Sequence, residues 1–524
     1  MNRRRQRLQV VLLFSSVLLA AFAAWFMLWN LVRPYPIEVR ENSGWMVTAW
    51  LLQGHDPYAL NLQPAFYYGY GFVYALVVYP FALIFGPTPQ LHRAVSDVAI
   101  ILNCSALFWG MRVSRIPAPL ALCGALLFFS HGAFNDFGCG PNGLGLLLFL
   151  LSLVLPYAQD FKWGGLLAGI FLSVVAFYTK AYFVLGGPLL ASYLFLFRSK
   201  EKGLVAGMIF LALLAASAWL VNTLSPLYFT DTLFAMYNYT QHYLSVGHLL
   251  KVGFYYSPMG IGLVLLLAWQ FRRSYFGSNR PQGWPFNMNL NLADRKQPLL
   301  LPPPLRWVTY LLLACGSVYV FKLGLNGGNF FSYVFHVVTP FLIWRACLVA
   351  GVEAADRWEP LAFLQATVLL VAGYFCIPMA LAHQHDHAAE WRHAADIAAR
   401  HHDILNTGAV SFILWAQGKP IYDAGMAENY PFGFTHNPSP LLPAYREKCE
   451  NFQRMINEKI EHGQFDAVMI FSDRSPVQLI FSRILLSQYY HRVETFPLQT
   501  TFEDFQIEVW EPRTPKPRPT VISR

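Results

Sequence analysis

The feature that most constrains this chain is its succession of apolar runs, each too long and too greasy for a soluble core. The first, "LQVVLLFSSVLLAAFAAWFMLWNLV", follows a head carrying Arg3, Arg4, Arg5 and Arg7. A helix needs about 20 apolar residues to cross a bilayer, whereas the apolar core of a cleaved secretory leader has only about 7–15. Residues 9–31 therefore read as a retained anchor, with the arginines holding the N-terminus in the cytoplasm. Further candidate spans lie at 92–111, 117–134, 141–157, 163–179, 181–197, 203–222, 252–270, 306–322, 329–346 and 360–382, about eleven in all.

Charge supports the same class. Only 13% of the 524 residues are charged and 55% are hydrophobic, against roughly 25% charged in soluble domains. The net charge of +9 sits in short clusters between apolar runs, which suits membrane orientation and not a nucleic-acid face. The seven cysteines are scattered without a CxxC pair and give no disulfide framework or metal signature.

One apolar stretch is ambiguous: "FYYGYGFVYALVVYPFALIFG", residues 66–86. If it crossed, Arg112, Arg115, Lys200, Lys202 and the basic 272–296 stretch would all face outward. If it lies at the interface, all of these fall inside, together with Lys162 and Arg357. Basic loops stay cytoplasmic, so the second arrangement is expected, with tyrosines at headgroup depth. The first loop, 33–91, then lies outside, as does everything beyond about residue 383.

The fold expected is an all-α polytopic membrane module over residues 1–382, with interfacial helices in the first outer loop. A small extracytoplasmic α/β domain follows at 383–512, where "FDAVMIFSDRS" and "DFQIEVWEP" read as strands and "YREKCENFQRMINEKIEHGQ" as helix. A Pro-rich, flexible tail closes the chain at 513–524.

On the outer face, His55, Asp56, Asp231, His242 and His248 read as ordinary polar loop residues. Lys180 differs, because "FYTKAYFVLGG" joins two apolar helices with almost no loop; its ammonium must snorkel outward or meet an anion. His336 lies a turn or two inside an apolar span, where it bonds a neighbouring helix or contacts a phosphate or hydroxyl. Glu38 and Glu41 share a face if their stretch is helical, and either pair with Arg40 or Arg33 or face water. The run "HQHDHAAEWRHAADIAARHHD" reads as an amphipathic linker, since no second ligand group has zinc spacing. No Walker A, G-x-S-x-G, H-E-x-x-H or D-x-D pattern occurs.

Taken in order, these pieces resemble the GT-C superfamily of integral-membrane glycosyltransferases, especially the bacterial polyprenyl-phosphate-sugar enzymes of the mannosyltransferase and aminoarabinose transferase type. The family's outer-loop acid, helix and G-x-x-P-Y turn look like Glu41, "WMVTAWLLQ" and "GHDPY". Its G-Q-x-N turn is similar to "FGCGPNG", with Gly140 for the Gln; its lysine turn is similar to "YTKAYF"; its N-Y-x-x-E motif is similar to "SYVFH", with His336 for the acid. The tail's "WAQGKPIYDAG" is similar to the L-A-G-K-P-x-Y of the family's outer domain.

The resemblance implies inverting transfer of a sugar from a polyprenyl-phosphate donor to an extracytoplasmic lipid, glycan or protein in the inner membrane, with no metal or other cofactor. Glu41 or Glu38 would be the general base. Lys180, Arg40 and His336 would meet the donor phosphate, and Tyr67, Tyr68, Tyr70 and Tyr74 would line the groove for its lipid and sugar. A lipid-linked sugar flippase and a glycan ligase or polymerase using a lipid diphosphate are the alternatives. Transporters favour helices broken near the midplane, whereas here the polar residues gather at one face.

Overall fold

The computed structural model describes residues 3–37, 41–59, 61–62, 68–135, 140–235, 303–325, 331–351, 373–374, 377–378, 381, 385–406, 410–423, 443–472, 481–499 and 504–513. The expected span at 252–270 and most of that at 360–382 lie outside them, as does the tail from 514.

The membrane part is helical. Helix α1 runs Arg3–Leu31, α2 Glu41–Leu52, α3 Val73–Phe85, α4 Pro89–Val113, α5 Ala118–Asn135, α6 Asn142–Ala158 and α7 Trp163–Phe177. A 3-10 turn, Ala181–Leu185, leads into α8 (Gly186–Phe197), followed by α9 (Lys200–Leu224), α10 (Pro303–Leu325) and α11 (Phe331–Gly351). Among the described residues three helices are long and apolar enough, by length and composition, to cross a bilayer: Val10–Leu31, Pro89–Val113 and Lys200–Leu224. Shorter apolar helices include Val73–Phe85, Ala118–Phe134, Asn142–Ala158 and Trp163–Phe177.

Small residues set the packing. A Cβ on Gly169 of α7 would stand 2.5 Å from Pro156 Cγ and from the Ser152 carbonyl of α6. One on Gly110 of α4 would meet the Trp344 ring of α11 at 2.7 Å. Close backbone approach is what holds helices together where apolar burial alone gives little advantage.

The position of α3 follows from its neighbours. The start of α4 touches the end of α1, where Arg93 and Gln90 both donate to the Arg33 carbonyl. Four successive helices, α4 to α7, then return the chain to that same end of the bundle. There the Gly71 and Val73 amides, at the start of α3, donate to the Thr179 and Tyr178 carbonyls beyond α7. Both ends of α3 therefore have neighbours at one end of the bundle, and its thirteen residues make about 20 Å of helix. Gly71 is required at this junction, because a Cβ there would collide with the Tyr178 carbonyl.

The C-terminal domain is an α/β unit with helices α12 (Ala388–Arg400), α13 (Ser411–Ala416), α14 (Pro443–Glu461) and α15 (Arg483–Tyr489). Its strands are β1 (Ile404–Asn406), β2 (Tyr422–Asp423), β3 (Ala467–Phe471), β4 (Tyr490–Gln499) and β5 (Asp504–Pro512). The sheet order is β2-β1-β3-β5-β4, parallel among the first three, with β5 antiparallel to β3 and β4. Every residue of β1 and β3 is buried, as expected for strands covered on both faces.

Strand β4 is not apparent in the sequence, where His491, Arg492, Glu494 and Pro497 obscure its alternation. It is one of the two sheet edges, where a proline's missing N–H can face away from the ladder at no cost. The "WAQGKP" motif has a local structural role: Lys419 Nζ donates to the Ala398 and His401 carbonyls, closing the C-terminal end of α12.

Candidate functional site

Glu41 opens α2 and is buried, at 1% exposure. Its partner is Arg93, one turn into α4, which is buried as well. Arg93 Nε donates to Glu41 Oε1 at 2.9 Å and Nη2 to Oε2 at 2.7 Å, a two-pronged pairing that fits a planar guanidinium to a carboxylate. The remaining prongs donate to the carbonyls of Asn30 (3.0 Å), Arg33 (2.7 Å) and Tyr35 (2.6 Å). The Ile37 amide also donates to Glu41 Oε2, at 2.9 Å. A single guanidinium thus binds the end of α1, the chain leaving it and the start of α2 into one cage. The sequence offered Arg40 or Arg33 as Glu41's partner. Among the described residues the partner is Arg93, an ionisable residue near the start of an apolar span.

Lys180 is 7% exposed and sits just past α7. Its ammonium donates to Asn142 Oδ1 at 2.9 Å and stands 4.7 Å from the Tyr70 ring centre and 5.3 Å from that of Tyr182. Asn142 is the first residue of α6, at the end of the Gly-Pro-Asn turn. The two turns singled out in the sequence, 38 residues apart, meet here through their most polar side chains. Aromatic faces at this range attract an ammonium strongly when water is excluded.

A tyrosine cluster extends outward from Tyr70. Tyr58 Oη donates to the Tyr70 carbonyl at 2.6 Å, and the Tyr68 and Tyr70 rings meet edge to face at 5.6 Å. Tyr58 packs on Tyr228, just beyond α9, at 4.9 Å. Burial first, then neighbouring tyrosines, pushes the Tyr58 and Tyr68 hydroxyls up, so both remain protonated hydrogen-bond donors. Asp56 fixes the turn that carries Tyr58, accepting from the Tyr58 amide at 3.0 Å and from Ser225 Oγ at 2.8 Å.

The predicted residues divide accordingly. Lys180, Tyr70 and Tyr68 come together. Tyr74 does not join them: on α3, its hydroxyl donates to the His92 carbonyl and meets Ser96 Oγ, fastening α3 to α4. Glu38, Arg40 and Tyr67 lie outside the described residues, and of His336 only the backbone, in α11, is described. Among the described contacts Glu41 and Lys180 share no partner, and the remaining eleven residues of α2 lie between Glu41 and the turn that leads to Tyr58.

Other readings change. Asp231, read as a solvated loop residue, is 0% exposed in a π-helical turn, Thr230–Ala235. His55 is exposed, whereas His242 and His248 lie outside the described residues. In the histidine run, His387 and His393 each face a carboxylate, Glu390 at 3.2 Å and Glu494 at 2.6 Å. Tyr58, Asn142 and Tyr182 were given no role in the sequence. Asn142 could have been found as a lone amide at the mouth of an apolar helix.

No protein-family model matches the chain, and no curated protein matches it. Among solved structures it is similar to crystal structures of ArnT from Cupriavidus metallidurans, one bound to undecaprenyl phosphate and one in the apo state. Identities are 13% and 15%; each match covers 94% of this chain and 97% of that one, with a TM-score of 0.48.

Proposed function

We propose that this chain is a membrane glycosyltransferase that takes its sugar from a polyprenyl-phosphate donor and hands it to an extracytoplasmic hydroxyl. The observation that carries this reading is the buried Lys180 ammonium, held between the Asn142 amide and the faces of Tyr70 and Tyr182. A cation kept at the end of an apolar bundle suits an anion that arrives from the membrane, and a lipid monophosphate is such an anion.

In the transfer, the acceptor oxygen attacks the anomeric carbon while the bond from that carbon to the phosphate oxygen breaks. The polyprenyl phosphate leaves with the bonding pair, and one displacement inverts the centre. Lys180 offsets the charge that grows on the phosphate, and Arg40 and His336 are assigned to the same anion. Tyr68 and Tyr70, with Tyr67, line the donor's path. The acceptor proton goes to a carboxylate of the first outer loop. Of the two, Glu41 already accepts three N–H groups, one of them from a backbone amide. A base must accept and release a proton each cycle, so this reading gives that role to Glu38 and makes Glu41 the anchor of its loop.

The test is turnover of a labelled polyprenyl-phosphate sugar by purified variants. Glu38→Gln should abolish transfer in a protein that still binds the lipid. Full turnover in Glu38→Gln, with none in a folded Glu41→Gln, moves the base to Glu41; full turnover in both removes the carboxylate mechanism.

A further inference from the structure

One link between the C-terminal domain and the first outer loop is Tyr35. Its ring lies flat on Trp391 of α12, with centroids 6.1 Å apart and planes 7° from parallel. Its hydroxyl donates to Asp386 Oδ1 at 3.2 Å and accepts from the His387 amide at 3.0 Å. Only 2% of Tyr35 is exposed, and its side chain belongs to the core of the C-terminal domain. Yet its carbonyl accepts from Arg93 Nη2, so its backbone belongs to the Glu41 cage.

The domain takes a second grip beyond the acidic segment. Trp45 and Trp50 of α2 meet α13 edge-on, Trp45 at 5.6 Å from Phe412 and both at 5.6 Å from Trp415. The same domain thus contacts the first outer loop at Tyr35, before Glu41, and in α2, after it, while Arg93 bonds both the Tyr35 carbonyl and Glu41.

We propose that the C-terminal domain is a positioning element of the transferase site, with Trp391 and Trp415 the positioning residues that fix where the first-loop carboxylates stand. This rests on the glycosyltransferase reading only for its catalytic consequence. The chemistry is that of a clamp: aromatic stacking and a shared hydroxyl hold Tyr35 in residues 32–37, which belong to no helix or strand. Freed of the clamp, that segment gains conformations, and the carboxylates lose the alignment on which proton transfer depends. The phosphate subsite, built by the loops around Asn142 and Lys180, has no side chain in this clamp among the described contacts, so donor capture should persist.

Two measurements on the full chain test this. Hydrogen exchange over residues 33–41 should quicken on the order of tenfold in Trp391→Ala, including the Ile37 amide that Glu41 now protects, while exchange in α6 and α7 stays as in the wild type. Turnover should fall about tenfold or more in kcat, with KM for the polyprenyl-phosphate sugar within about twofold, and Trp391→Phe should restore most of both. Trp415→Ala should act in the same direction as a second, independent lesion. Unchanged exchange at 33–41 in both alanine variants overturns the inference whatever the enzyme's chemistry. Faster exchange throughout the bundle overturns it too, since the domain would then support the whole fold. Wild-type protein that shows the exchange pattern but never moves sugar from lipid refutes the transferase reading and leaves the clamp standing.

Discussion

Replacing Arg93 with Met keeps the volume of the side chain and removes its charge and five donors. Two of the lost bonds leave the Glu41 carboxylate, at 0% side-chain exposure, without its ion pair. Three more leave the Asn30, Arg33 and Tyr35 carbonyls short of a donor. Hydrogen bonds to a charged group contribute about 1.5–3 kcal/mol each, but five from one guanidinium do not add. The relevant figure is that for removing one partner of a buried pair, about 3–5 kcal/mol, because a solvent-starved charge is left behind. Glu41→Gln should cost less, about 2–3 kcal/mol, since the amide keeps one acceptor and turns an N–H toward the guanidinium. The double variant Glu41→Leu/Arg93→Met should be milder than the sum of the two single losses by at least about 2 kcal/mol. Unfolding of the purified protein in mixed micelles, titrated with a denaturing detergent, measures all of these. Single costs below about 1 kcal/mol that simply add in the double variant would refute the cage.

Two further outcomes follow from other parts of the molecule. Gly71→Ala should lower the melting temperature, at a cost of about 1–3 kcal/mol, because its methyl must displace the Tyr178 backbone; a melting curve identical to wild type would show that the α3–α7 junction gives way freely. In the C-terminal domain, burial lowers the pKa of His401 more than the nearby Glu511 raises it. The unfolded chain therefore takes up this proton first as pH falls through about 6.5, and the domain loses stability there. Melting temperatures of His401→Gln should fall less between pH 7.5 and 5.5 than those of the wild type, and equal falls would contradict the assignment.

The sequence made the helical bundle legible because membrane spans are written in unbroken apolar runs, and the charge of the connecting loops alone kept residues 66–86 from being taken as a span. The meeting of Lys180 with the Gly-Pro-Asn turn was half legible: both turns stood out, but their contact depends on how three helices pack on small residues. Arg93 was hidden for the opposite reason. A residue 52 positions from Glu41 pairs with it only because α4 returns to the end of α1, and no local pattern encodes that return. Strand β4 was hidden because an edge strand needs no apolar alternation on its open side, and Asp231 because a short π-helical turn buries what composition marks as loop.

The most direct measurement is binding of a polyprenyl phosphate, and release of label from its glycosylated form, in wild type and Lys180→Met side by side. A lipid phosphate held by this lysine predicts tight binding and sugar transfer in the wild type, with both weakened about tenfold or more when the ammonium is gone. Equal affinity and equal turnover in the two proteins would contradict it.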